Sequence, residues 1–277
     1  MDYLVPRDVA AALEMRRAGC AVLAGGTDLY PQHVGRPLPE RVLDLGGLSE
    51  LRGVDETADG FRIGALTRWA DVAAAGLPRY FDGLRAAANE LGSIQVQNSG
   101  TVGGNLCNAS PAADGIPPLL TLDASVELTS AGGSRVLPLE RFLTGYRLTA
   151  LGPDELLTAV LVPGVVDDAR SAFVKLGLRR YLVISVVMVA VLVEVDAQGL
   201  VADARVAVGA CSPVAQRMRS LEPHLVGRPP DQADRATIAD HLESLAPIDD
   251  VRATADYRRE AAAVLVQRAL AGCGSDR

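Results

Sequence analysis

A chain of 277 residues, 49% of them hydrophobic, can bury a full core, which excludes disorder and predicts one compact body of two or three lobes. A formal net charge of −7 leaves no broad basic face for nucleic acid, so any bound phosphate must be held mostly by N–H groups. The positive charge is almost all arginine, with Lys175 the only lysine. Cys20, Cys107, Cys211 and Cys273 form no C-x-x-C pair, and His33, His224 and His241 are scattered, so the spacing supplies no zinc or iron–sulfur site. Unpaired cysteines and the lack of a secretion signal predict a cytoplasmic protein. The longest apolar run, residues 182–193, is too short for the ~20 residues of a spanning helix. Its Val and Ile content predicts a buried strand instead, without membrane insertion.

In chain order, residues 8–18 predict an amphipathic helix stopped at Gly19, and 21–24 a short buried strand. Gly25-Gly26 then turns the chain, and Thr27-Asp28 can cap the turn that follows. Residues 41–45 predict another strand, closing a small lobe over about 1–50. A larger lobe over about 51–165 begins with strands at 51–55 and 61–63 around an Asp59-Gly60 turn. Helices are predicted from Thr67 and over 78–91. Residues 92–108, poor in helix formers, predict loop with at most short turns. A short helix over 114–122 takes Pro117 in its first turn. Strands follow at 126–129, 135–137 and 155–162. The last region, 166–277, predicts strands at 171–178, 184–195 and 201–210, then helices at 214–226, 233–245 and 254–271. That order implies an α+β lobe: a three-stranded sheet with helices on one face.

Two loops carry the ligand chemistry. Ala24-Gly-Gly-Thr-Asp-Leu29 and Thr101-Val-Gly-Gly-Asn105 both set glycine beside small hydroxyl or amide side chains, the pattern by which backbone exposes several N–H groups to one anion. Two such loops in one domain predict a long, phosphate-bearing cofactor. No Walker loop, no G-x-G-x-x-G after a strand and no G-x-S-x-G is present, which argues against a P-loop ATPase, an ordinary Rossmann dehydrogenase and a serine hydrolase. Taken singly, each glycine pair is equally an ordinary tight turn. Cys107 is either a redox thiol or, more simply, a small buried side chain. Trp69 and the tyrosines read as packing.

The two loops, with Ser110-Pro-Ala-Ala-Asp114, Phe142-Leu-Thr-Gly-Tyr146, Asp154-Glu-Leu-Leu157 and Phe173-Val-Lys175, resemble the FAD-binding (medium) subunit of the molybdenum hydroxylases, the relatives of xanthine dehydrogenase. The likeness spans nearly the whole chain. It implies a vanillyl-alcohol-oxidase-type (PCMH-type) FAD-binding fold in residues 1–165. Residues 166–277 would be the C-terminal domain of the flavin subunit. By that likeness Val22, Leu23, Ala24, Gly25, Gly26, Thr27, Asp28 and Leu29, together with Thr101, Val102, Gly103, Gly104 and Asn105, clasp the FAD pyrophosphate through backbone N–H groups. Asp114 accepts from a ribityl hydroxyl or the flavin edge, Leu91 and Leu157 line the cofactor, and Lys175 lies near the flavin ring. Where relatives carry a charged stretch ending in Asp-Ile-Ala, this chain has the apolar Arg179-Arg-Tyr-Leu-Val-Ile-Ser185. Ile184 would still face the isoalloxazine and Tyr181 cover it.

The implied function is an electron relay, from iron–sulfur clusters through FAD to NAD, oxygen or another carrier. The clusters and the molybdopterin would sit on a small and a large partner subunit, in a dimer of heterotrimers. The alternatives are a free-standing FAD-dependent reductase or oxidase on the same fold, and a scaffold that has lost its cofactor.

Overall fold

A computed structural model of the chain describes residues 1–16, 19–165, 168–179 and 183–274. At the N-terminus, β1 (Asp2–Leu4), α1 (Val9–Met15), β2 (Ala21–Leu23), α2 (Leu29–Gln32) and β3 (Arg41–Asp44) build a small parallel sheet in the order β1-β3-β2. The Asp8 carboxylate accepts from the Ala11 N–H and starts α1, whose Ala12 packs with Leu43, Leu45 and Leu48. The chain leaves β2 at the carboxyl end of this parallel sheet, the edge where α/β sheets present their ligand loops. Asp28 occupies the position before α2 but makes no side-chain cap, contrary to the capping expected of Thr27-Asp28.

The next stretch contains β4 (Val54–Thr57), β5 (Gly60–Gly64), α3 (Trp69–Ala74), α4 (Asp82–Glu90), α5 (Ile94–Ser99), α6 (Val102–Asn108) and α7 (Ile116–Thr121). It continues with β6 (Ser125–Ser130), β7 (Gly133–Pro138), α8 (Leu139–Phe142), β8 (Leu143–Gly145), β9 (Leu148–Thr149) and β10 (Leu156–Pro163). Its antiparallel sheet runs β4-β5-β10-β6-β7, so the last strand of the region inserts at the centre. That long-range pairing closes a core of Ile63, Leu84, Leu106, Leu119, Val126, Phe142 and Val160. Residues 92–108 are two helices and not the expected loop. The Ser93 and Thr101 hydroxyls accept from the Val96 and Gly104 N–H groups, and burial of Val102 and Leu106 outweighs the poor propensity of paired glycines.

The C-terminal region forms β11 (Arg170–Leu176), β12 (Val187–Val195), β13 (Val201–Gly209), β14 (Gln216–Arg217), α9 (Glu222–Leu225), α10 (Arg235–Asp240) and α11 (Ala255–Gly274). The sheet is an antiparallel meander, β11-β12-β13-β14. Its fourth strand replaces the start of the helix expected over 214–226. Arg217 pairs with Ala207 in the ladder, while its guanidinium bridges Glu222 and Asp123, which holds this segment extended. In β12, Val187, Val189, Val191 and Val193 face the helical side with Val266 and Leu270. On the opposite face Met188 and Ala190 pack with Ala87 and Phe173, and Leu192 joins the core of the preceding region. Both faces of this strand are covered, which explains its unbroken apolar run. No helix among the described residues is long and apolar enough to cross a membrane.

Candidate functional site

A cleft of about 360 Å³ opens between the loop after β2 and the first turn of α6, within the range of ligand pockets. Of the residues singled out in the sequence, Val22, Ala24, Gly25, Gly26, Thr27, Asp28, Leu29, Leu91, Thr101, Gly103, Gly104, Asn105 and Leu157 line it.

Glycine is required here for identifiable reasons. Gly26 sits at φ 70°, a left-handed conformation that side chains resist. A Cβ on Gly25 would strike the Ser99 carbonyl, so the first loop lies backbone to backbone against the end of α5. A Cβ on Gly103 would lie 2.8 Å from the Ala65 side chain. Gly104 differs: its Cβ would meet the Thr101 hydroxyl at 2.8 Å and otherwise only the Ala24 methyl, at 3.9 Å. Its open side faces the first loop across the cleft.

The two loops do not contribute equally. Among the described residues, no acceptor receives the N–H groups of Gly25, Gly26, Thr27, Asp28 or Leu29. Four of these five residues are half-buried and Asp28 is exposed, and a row of donors without a partner favours a ligand with several acceptor oxygens. The second loop's donors are already engaged. Val102 donates to the Thr67 carbonyl at 3.0 Å, Gly103 to the Ala65 carbonyl at 2.8 Å, Gly104 to the Thr101 hydroxyl at 3.1 Å, and Asn105 to the Thr101 carbonyl at 3.0 Å. The expected clasp by N–H groups of both loops is corrected in this respect: α6 begins here, and its first turn takes these donors. What the second loop offers is the Asn105 carboxamide, whose Oδ1 is buried without a hydrogen-bond partner.

Three expected residues fall outside the lining, two through burial and one through exposure. Leu23 and Val102 are buried in the core, and Ile184 is 53% exposed in the connection between β11 and β12. Asp114 and Lys175 also lie outside it and pair with one another. Lys175 Nζ donates to Asp114 Oδ2 and to the Glu90 carbonyl, both at 2.9 Å, and Ser185 Oγ donates to Asp114 Oδ1 at 2.7 Å. The two side chains are only 5% and 8% exposed. Burial pushes the Asp114 carboxyl above the ordinary aspartate range, against the charge and hydrogen bond of Lys175 and the hydroxyl of Ser185. The Glu90 carbonyl immediately precedes Leu91, so this pair buttresses the cleft wall. The expectation for Tyr181 lies outside the described residues.

Sequence reasoning missed the apolar walls: Leu45, Leu66, Trp69, Val96, Leu151 and Leu156 also line the cleft. They come from separate elements, and no motif links them. Trp69 is both packing and lining, since it is buried and a Cβ on Gly115 would run into its ring. Cys107 opens to the cleft and is not a small buried side chain. Crowding around its sulfur nonetheless pushes the thiol up to about 12, with Arg16 pulling the other way.

Comparisons with known proteins identify the family. Residues 1–165 match the family model described as the FAD binding domain in molybdopterin dehydrogenase, and residues 172–272 match the CO dehydrogenase flavoprotein C-terminal domain. The chain is 36% identical to the nicotinate dehydrogenase FAD-subunit of Eubacterium barkeri, over 76% of this chain and 72% of that one. It is 33% identical to the glyceraldehyde dehydrogenase medium chain of Sulfolobus acidocaldarius, over 90% of this chain and 88% of that one. Among solved structures, CO dehydrogenase from Oligotropha carboxidovorans superposes with a TM-score of 0.91 at 26% identity, covering 99% of this chain and 98% of that chain. With two family models covering nearly its whole length and a cleft between two glycine loops, this chain belongs to the FAD-binding medium subunits of the molybdenum hydroxylase family and is an oxidoreductase component.

Proposed function

We propose that the cleft between the two glycine loops holds FAD and that the chain relays electrons within a complex. Electrons would arrive from iron–sulfur clusters on a small subunit, fed by molybdopterin on a large one, and leave to NAD, oxygen or another carrier. The observation that carries the cofactor assignment is the row of unpartnered N–H groups from Gly25 to Leu29, in a cleft that Asn105, with its unpartnered Oδ1, also lines. The residues fit the group: the N–H row suits a pyrophosphate, Asn105 Oδ1 suits a hydroxyl or ring N–H, and the leucine walls suit flat ring systems. Asp114 and Lys175 would stand behind Leu91 and fix that wall. FAD, when bound, supplies the redox chemistry.

The chain's own part is to bind, orient and exclude water. Among the described lining residues the titratable side chains are Asp28 and Cys107, and the Cys107 thiol stays protonated at neutral pH. That poverty of acids and bases favours relay over chemistry on an organic substrate. The relatives are named as subunits and medium chains, which supports partner subunits for this chain, in our reading a dimer of heterotrimers. Free Cys20, Cys107, Cys211 and Cys273 suit the cytoplasm. We assign residues 1–165 to the FAD-binding domain and 166–277 to the C-terminal domain.

The test is the visible spectrum of the purified chain and identification of flavin released by acid. FAD near one per chain is expected. A folded, colourless chain that takes up no added FAD would remove the cofactor assignment, and purification without two further subunits would remove the relay complex.

A further inference from the structure

Behind the loop that carries Gly25 and Gly26 lies a second hollow of about 300 Å³, which shares only Ala24, Gly25, Leu66 and Thr101 with the cleft. Its chemistry differs from that of the cleft. Two guanidiniums line it. Arg52 is held in place by donating to the Gly46 carbonyl at 2.9 Å and the Leu66 carbonyl at 3.2 Å. Arg68 forms no ion pair among the described residues, and neither Asn98 nor Ser99 makes a side-chain hydrogen bond there. The one carboxylate in the wall, Asp44, already accepts from the Tyr3 hydroxyl at 2.6 Å and from the Gly46 N–H at 2.8 Å. Each of its oxygens keeps a lone pair for a further donor. The hydrogen bond to Asp44, with burial second, pushes the Tyr3 phenol up to about 12, so it remains a donor at neutral pH. The rings of Tyr3 and Tyr30 complete the wall.

One anchored guanidinium, Arg52, and one free and exposed, Arg68, beside one occupied carboxylate on a chain of net charge −7 make this a local anion trap. Unengaged donors on Arg68, Asn98 and Ser99 add direction to the charge. The size is at the small end of ligand pockets, and the hollow meets the cleft at Ala24, Gly25, Leu66 and Thr101. We propose that this hollow is a second ligand site, one that takes a phosphate monoester bearing hydroxyl groups, the class of sugar phosphates and mononucleotides. The phosphate lies against Arg68 and Arg52, and a hydroxyl donates to Asp44.

The site stands apart from the cofactor reading, and the experiment keeps the two separate. Calorimetric titration of the FAD-saturated protein with AMP, adenosine and inorganic phosphate places no probe in the cleft. AMP is expected to bind saturably, more tightly than either adenosine or phosphate alone. Arg68→Ala is expected to weaken AMP about 10-fold or more, the loss of a charged hydrogen-bonding partner. Asn98→Asp, at an exposed position, is expected to weaken it through like-charge repulsion without threatening the fold. No AMP binding, adenosine binding as tight as AMP, phosphate binding as tight as AMP, or unchanged affinity in both variants would each overturn the assignment. A chain that holds no FAD would overturn only the cofactor reading; the AMP titration would then run on the bare chain, with the same two variants locating the site.

Discussion

At Gly104 the missing side chain decides what can enter the cleft. Its Cβ direction holds nothing but the Thr101 hydroxyl and, 3.9 Å away, the Ala24 methyl. Gly104→Val therefore grows into the gap between the loops and is expected to abolish FAD retention while the chain stays folded, as checked by flavin content and circular dichroism. Full FAD occupancy in the folded variant would move the cofactor elsewhere. Gly26→Val would be the poorer experiment, since φ of 70° makes any side chain strained whatever the cofactor does. These two glycines were equally visible in the sequence, but their different roles were not. A sequence reveals that glycine is present; only the neighbours reveal whether it serves a turn or an open passage.

On the scale of elements, α6 is the part that composition misrepresented. Two glycines and two asparagines predict a loop, yet Thr101 caps the helix and Val102 and Leu106 bury it. Thr101→Val keeps the shape and removes the acceptor for the Gly104 N–H. The expected cost is about 1 kcal/mol in urea unfolding, with Thr101→Ser close to the parent. A Val variant as stable as the parent would show that the cap is dispensable. The ends of the strands were legible wherever a turn chemistry marked them, as at Asp59-Gly60. The short β14 was not, because ion pairs of Arg217 with partners near and far in sequence select it. The walls of the cleft escaped for a related reason. Leu45, Leu66 and Leu156 each look like ordinary core residues until three elements meet.

The whole molecule is tied together by β12, which shows one face to the C-terminal helices and the other to α4 and the preceding core. The Asp114, Lys175 and Ser185 cluster spans the same junction, joining β11 to the segment before α7 and to the end of α4. Lys175→Met would strand the Asp114 carboxylate in the interior. Removing one partner of a buried pair costs about 3–5 kcal/mol, and Lys175→Met with Asp114→Asn should recover most of it. Urea unfolding of the FAD-free chain measures this without ligand linkage. A single-variant loss below ~1 kcal/mol would mean that the pair behaves as a surface ion pair.

That interior placement of the chain's sole lysine also shapes its exterior. With Lys175 only 5% exposed, the folded surface presents no side-chain ammonium. Every cationic side-chain contact this surface offers above the titration range of histidine is a guanidinium, flat and forked, whose charge persists to strongly alkaline pH. Acidic groups that dock here meet oriented, bidentate receptors, and reagents that acylate side-chain amines find almost nothing to modify until the fold opens.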